Sequence, residues 1–449
     1  MVDTLDDFSL MHHALRQRFL NVLAREEACA LIPSGSAPTR NSDCEYLFRP
    51  EGDFFYLTGF REPDCVLLLV PQNEEVKSVL FLRDRDPKSE VWTGRRLGVE
   101  RAPGELQVDA AYDIDEMWSV LPDLLKGNNR MVYRLGRDEE RDREMISLVG
   151  DMRDRARRGA IAPTQWIDPS VWLHELRLIK TNAELGCMRR AAEITAEAHI
   201  AAMATATAGE SEMEVDALLN YTFRKNGSSG SAYNNIVAGG DNACILHYVE
   251  NDAELVDGEL LLIDAGCEWE FYASDVTRTF PVSGTFSKEQ RALYAVVLDA
   301  QKAVIESVKP GLCFDELHNL GKLSLVRGLL GLGLLEGTPE EALESEEFGR
   351  FYMHGTSHWL GLDVHDCGSY WGTDESRRLE PGMVLTVEPG IYLAADEGAV
   401  EERWRGIGIR IEDDVLVTPT GHEVLTSAIP KEIDEVEAAC QATTTLVLD

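Results

Sequence analysis

Residues 260–282, LLLIDAGCEWEFYASDVTRTFPV, decide how this chain folds. An apolar run, Leu260–Ile263, leads into Asp264, and a second strand-like run carries Asp275 and ends at Phe280-Pro281. Two such runs around a short polar middle predict an antiparallel hairpin. With a tight turn centred on Trp269–Glu270, Asp264 and Asp275 face each other with Cβ atoms roughly 5 Å apart. Two carboxylates so placed repel unless something cationic lies between them, and a divalent metal answers that need. The plain alternative is a pair of solvated aspartates on a surface hairpin. The apolar run directly before Asp264 weighs against it.

Three further segments carry residues of the same chemistry. Met353–Asp366, MHGTSHWLGLDVHD, holds three of the chain's ten histidines. His354 and His358 have the spacing of a zincin HExxH motif, but Gly355 stands where the glutamate belongs. Alternation of Leu360, Leu362 and Val364 favours a turn followed by a strand. In one straight strand His358 and His365 would point to opposite faces, so either a bend intervenes or they approach a site differently. Glu388 follows a strand pattern and precedes the turn signal Pro389-Gly390. In Gly406–Asp413 the three isoleucines share one face and leave Arg410 and Glu412 together on the other. An exposed ion pair on an edge strand is the bland version of that pattern. Asp264, Asp275, His358, Glu388 and Glu412 form an oxygen-rich set suited to Mn²⁺ or a similar hard ion. Five ligands exceed what one catalytic ion takes from protein and suit two ions sharing carboxylates.

A chain of 449 residues predicts two domains. Strand-like and helix-like runs alternate over about the first 150 residues, predicting a smaller α/β domain at 1–172. Residues 173–449 read as α+β, with helices at Lys288–Val308 and Phe314–Leu330 and strands at Ala243–Val249, Glu259–Ala265, Phe271–Pro281, Met383–Tyr392 and Gly406–Val417. The basic cluster Arg153–Arg158 and the proline-bearing stretch after it mark the joint. A formal charge of −36 argues against nucleic acid and anionic membranes as partners. Nine cysteines without a CxxC pair read as reduced thiols. With no basic-then-apolar leader pattern at the start, a cytoplasmic protein is expected. No P-loop and no GxSxG elbow is present.

In this order, the strings LLIDAG, SDVTRTFP, HGTSHWLGLDVHD, TVEPGIY and GIRIEDD resemble the pita-bread metallopeptidase family, most closely its aminopeptidase P branch. NSDCEYLFRPEGDFFYLTGFREPD and VWTGRRLG resemble the domain that precedes the catalytic one in aminopeptidase P and prolidase. The resemblance implies a C-terminal pita-bread domain that releases the first residue of Xaa-Pro-Yaa peptides through a hydroxide shared by two metal ions. Asp264 would serve one Mn²⁺ and His358 and Glu388 the other, with Asp275 and Glu412 bridging. Glu388 would shuttle the proton, and His247, His354 and His365 would contact substrate. Arg410 and Tyr392 would edge the proline pocket, Tyr233 would line the cleft, and Trp92 would complete a neighbouring subunit's site, so a dimer or tetramer is implied. Asp43 and the basic cluster near Arg157 are fainter correspondences. Prolidase is the nearest alternative. Metal-free pita-bread enzymes and binding modules depart from the five-ligand set, which is intact here.

Overall fold

A computed structural model describes residues 5–442 except 74–75, 156, 158–161 and 346. Ala156 and Arg158 of the basic cluster and the first four residues therefore lie outside the described residues. The chain divides into two compact units, Met1–Arg177 and Leu178–Asp449.

The first unit is built on a six-stranded mixed sheet. Its centre is Ala28–Pro33, flanked by antiparallel Val66–Leu69 and parallel Arg130–Val132. Ala28–Pro33 and Val66–Leu69 are apolar along their length because both faces are covered, which explains the absence of alternation. Leu31, Leu68, Phe81, Leu121 and Met145 meet in the core. Trp92 is left outside it, 87% exposed at the end of the short helix Pro87–Thr93.

The second unit sets long helices against small antiparallel sheets. Its helices begin where the sequence places caps. Thr181 with Glu184, Ser211 with Glu214 and Ser287 with Gln290 each form a reciprocal capping box. Strands Ile236–Gly239, Leu260–Asp264 and Thr277–Pro281 make one antiparallel sheet. Val384–Val387, Asp413–Thr418 and Gly421–Val424 make a second, and Gly390–Leu393 pairs with Ile407–Arg410. One core, including Ile263, Phe280, Tyr294, Ile409 and Ile411, packs the first sheet and the Gly390–Leu393 pair on the helices, and a second, including Leu385, Val387, Val415 and Val417 with Val304 and Leu317, packs the other sheet. With both faces covered, Arg410 and Glu412 are buried, not an exposed edge pair.

Three expectations are corrected. The hairpin turns at Glu270–Phe271, one residue later than expected, so Asp264 pairs with Thr277 rather than with Asp275. Both turn residues take left-handed backbone, φ 50° and 60°, the geometry whose twist matches a hairpin. Moving the turn by one residue shifts the partner by two and keeps the face, so Asp275 stays diagonal to Asp264. Ala243–Val249 is not a strand: its first two residues end the 3₁₀ turn Gly240–Cys244, and the rest is loop. The stretch after His358 is also no strand. Only Trp359 makes an isolated bridge, to Leu385, and the chain then bends.

Candidate metal centre and cleft

Strand ends converge on one cavity of about 530 Å³. Asp264 ends the strand from Leu260, Asp275 precedes the strand from Thr277, Glu388 follows Val387, and Glu412 lies between Arg410 and Asp413. His354 and His358 come from the glycine-bearing loop, and Tyr233, His247 and His365 complete the lining. All five expected ligands and all three expected histidines therefore meet in one place. Tyr392 stands close by, its hydroxyl joined to His354 Nε2 at 2.8 Å and to Arg410 Nη1 at 2.9 Å. Gly266 permits the hairpin's close approach beside Asp275. A Cβ there would lie 1.8 Å from the Ser274 carbonyl oxygen, so no other residue fits.

Ligand atoms of Asp275, His358 and Glu412 all lie within 4.8 Å of one another. His358 Nε2 is 3.3 Å from Asp275 and 3.6 Å from Glu388. Its Nδ1 donates to the Trp359 carbonyl at 3.0 Å, which fixes the tautomer and turns Nε2 toward the acids. The bend after His358 brings the His365 ring to 4.4 Å from it, which settles the question of opposite faces. Asp264 has two donors of its own. Tyr233 donates to one of its oxygens at 2.6 Å and Arg410 to the other at 2.6 Å.

The electrostatics show what the cluster lacks. Burial drives Glu388 up to about 7, against the pull of His358 and Arg410. Glu412 is raised well above the carboxylate range by burial and by Asp275 and Glu388 beside it. Burial also raises Asp264, although Arg410 opposes it. For His358, burial disfavours charge, yet Asp275 and Glu388 together lift it to about 9. His354 is pushed the other way, to about 3, by burial and Arg410. Among the described residues lining the cavity, Arg410 is the sole guanidinium or ammonium, and it is spent on Asp264. Crowded acid oxygens, one oriented imidazole nitrogen and no thiolate fit hard divalent ions.

Two supporting residues escaped the sequence reading. Thr277 donates to Glu412 at 2.6 Å and accepts from Arg410 Nε at 3.0 Å. Asp414 accepts the Ser274 hydroxyl at 2.9 Å and the Asp275 backbone N–H at 3.2 Å. Each stands two residues beyond an expected ligand on the same stretch, a spacing that places it on the same face.

Residues 186–419 match the family described as metallopeptidase family M24, and residues 12–133 match the aminopeptidase P N-terminal domain. The chain belongs to metallopeptidase family M24, with a pita-bread domain preceded by the smaller α/β domain. It is 47% identical over 398 residues to the Xaa-Pro aminopeptidase of Haemophilus influenzae, covering 89% of this chain and 90% of that one. Identity to the Xaa-Pro aminopeptidase of Escherichia coli is 43% over 435 residues, 97% and 98% of the two chains. The structure of the Pseudomonas aeruginosa aminopeptidase PepP superposes with a TM-score of 0.93 at 45% identity, covering 95% of this chain and 97% of that one. Among the described residues, no helix is long and apolar enough to cross a membrane.

Proposed function

We propose that this metallopeptidase is a cytoplasmic, dinuclear exopeptidase that releases the first residue from peptides with proline in second position. The observation that carries the reading is the hydrogen-bonded row Arg410–Tyr392–His354, whose two ends line the same cavity as the crowded carboxylates. Asp264 would serve one ion, His358 and Glu388 the other, and Asp275 and Glu412 both. The oxygen-rich set favours Mn²⁺. When bound, two such ions supply Lewis acidity and a nucleophile at neutral pH.

The protein's part is orientation, proton transfer and selection. Glu388 faces both histidines, 3.5 Å from His354 and 3.6 Å from His358, which suits it to carry a proton across the cleft to the leaving nitrogen. Both ring nitrogens of His354 are engaged, Nδ1 with the Gly355 carbonyl at 2.7 Å and Nε2 with Tyr392. His354 thus serves as a fixed wall that holds the Tyr392 hydroxyl. His247 and His365, for whose rings no hydrogen bond is found among the described residues, are the donors for the oxyanion. Proline brings no backbone N–H to the scissile bond. A cleft edged by Tyr392, with Val364 and Ile236 in its lining, accepts the ring without leaving a buried acceptor unpaired. Trp92 and Val91, 87% and 80% exposed on one helix, support a homo-oligomer in which a second copy covers them.

The test is chelator-stripped protein reloaded with Mn²⁺ and given an Xaa-Pro-Yaa tripeptide beside the matching Xaa-Pro dipeptide. Fast cleavage of the tripeptide alone supports the reading. Preference for the dipeptide makes the chain a prolidase, and cleavage of neither moves it to the binding modules of this fold.

A further inference from the structure

The loop that carries His247 has no regular structure of its own beyond one 3₁₀ turn, Gly240–Cys244. Its tip is exposed, with Ile245 at 55% and Val249 at 47%. Among the described residues the His247 ring has no hydrogen bond of its own. Where that imidazole sits over the cleft is therefore decided by whatever fixes the loop.

One side chain does most of that fixing. Glu212 is the first residue of the helix Glu212–Lys225 and is 0% exposed. One carboxylate oxygen accepts the Gly239 backbone N–H at 2.7 Å and the Asn242 side-chain amide at 3.0 Å, both on the loop's entering arm. The other accepts the Tyr248 hydroxyl at 2.7 Å, next to His247, and the Ala253 N–H at 3.0 Å on the leaving arm. All four donors come from residues 239–253, before, beside and after the histidine. The same residue's backbone N–H donates to the Ala253 carbonyl at 2.9 Å. On the loop's other side, Gly408 lets the chain lie against the strand Ile407–Arg410, where a Cβ would be 2.5 Å from the Ala243 carbonyl. A buried acceptor needs partners to offset its desolvation. A hydrophobic residue would fill this core position at lower cost, whereas the carboxylate joins the two arms around His247, below the point where Asn251 ties them through the Val237 N–H at 3.0 Å and the Asn235 carbonyl at 2.9 Å.

We infer that Glu212 is a positioning residue for catalysis: it holds the His247 loop closed, so that the imidazole stands over the scissile carbonyl. This rests on the exopeptidase reading for His247's role, while the loop-holding claim stands on geometry alone.

The experiment compares Glu212→Gln, His247→Ala and the double variant as Mn²⁺-loaded full chains on an Xaa-Pro-Yaa tripeptide, with amide hydrogen exchange on each. Glutamine keeps the shape but puts an amide N–H₂ against two of the four donors. The expected result is a kcat about tenfold to a hundredfold lower for Glu212→Gln, with metal content unchanged. In the His247→Ala background the same change costs nothing further, and exchange quickens in 239–253 but not in 260–282. Losses that multiply in the double variant, or full kcat in Glu212→Gln, overturn the proposal. Tyr248→Phe, which removes one donor, is expected to give a smaller loss of the same pattern and decides the matter if Glu212→Gln does not fold. If the unmutated enzyme cleaves no such peptide, the functional reading fails, and the exchange data alone then judge the loop: unchanged protection of 239–253 in Glu212→Gln refutes its being held by Glu212.

Discussion

Glu412 and Asp413 are consecutive, both buried, and placed in opposite electrostatic surroundings. Asp413 points away from the cleft into a complete set of partners. Arg278 and Thr426 donate to one oxygen, each at 2.7 Å, and Lys431 and Gln301 donate to the other at 2.6 and 2.7 Å. Burial alone would raise its pKa, yet Arg278 and Lys431 hold it at about 2. Glu412 points into the cleft and meets Asp275 and Glu388 instead, with Thr277 as its hydroxyl donor. The fold can neutralise a buried carboxylate, and one residue away it does so fully. The uncompensated charge in the cleft is therefore a local design, matched to cations that come from outside the chain.

The largest effect expected from this contrast is at Asp275. Asp275→Ala should abolish peptide hydrolysis and bound metal together, measured by tripeptide cleavage and elemental analysis. The metal-free variant should melt no lower than the metal-free parent, because a repelling charge has gone. Full activity would break the dinuclear reading, and a clear loss of metal-free stability would break the contrast itself.

Asp413→Ala should behave in the reverse sense. Removing it leaves Arg278 fully buried without its counter-ion and takes the partly exposed Lys431 from its carboxylate, a change that costs about 3–5 kcal/mol of unfolding free energy. Denaturant titration checks this. Arg278 also donates to the Glu412 backbone carbonyl at 2.6 Å, so some loss of activity accompanies the loss of stability. A variant as stable as the parent would show that the Asp413 network is dispensable.

The contrast also explains what could be read from sequence. Asp264, Asp275, Glu388 and Glu412 were legible because each interrupts or ends an apolar strand pattern, where an acid is out of place unless it has a task. His358 was legible through its loop's density of histidine and glycine. The hairpin's turn was misplaced because Glu270 and Phe271 adopt left-handed backbone without the glycine or asparagine that usually announces it. Ala243–Val249 reads as strand because ACILHYV is a short run of apolar and aromatic residues. Its path is set by Glu212, a residue far off in the chain, and no local pattern carries that information. Trp359–Asp366 failed as a strand for a similar reason. Asp366, right after His365, is tied to buried Lys180 at 3.0 Å, which helps hold the bend.

A smaller effect is expected where the cleft's charge is already paired. His354→Ala should lower kcat about 10²-fold, the scale of losing one preorganised polar group. Metal content should stay at the parent's level, because the His354 ring nitrogens bond to Gly355 and Tyr392. Loss of metal in this variant would move His354 into the ligand set and redraw the boundary between crowded and compensated groups.

The smallest effect lies in the first unit, where Asp53 repeats the Asp413 solution. Its side chain is 12% exposed, and it receives His174 Nε2 at 3.0 Å and Arg177 Nη1 at 2.8 Å. Burial pushes its pKa up, but the hydrogen bond from His174 and the Arg177 guanidinium bring it down from 3.8 to about 2. Because the folded value lies below the unfolded one, the stabilisation is complete above the unfolded value and fades as pH falls toward the folded one. A shift of that size corresponds to about 2 kcal/mol. Asp53→Asn should therefore lower stability by about that amount at pH 7. The gap between variant and parent should close as pH falls from about 4 to about 2, read by urea titration across pH. A gap that stays constant over that range would show that Asp53 acts through packing or hydrogen bonding and not through its charge, and would confine the compensated-carboxylate pattern to the catalytic unit.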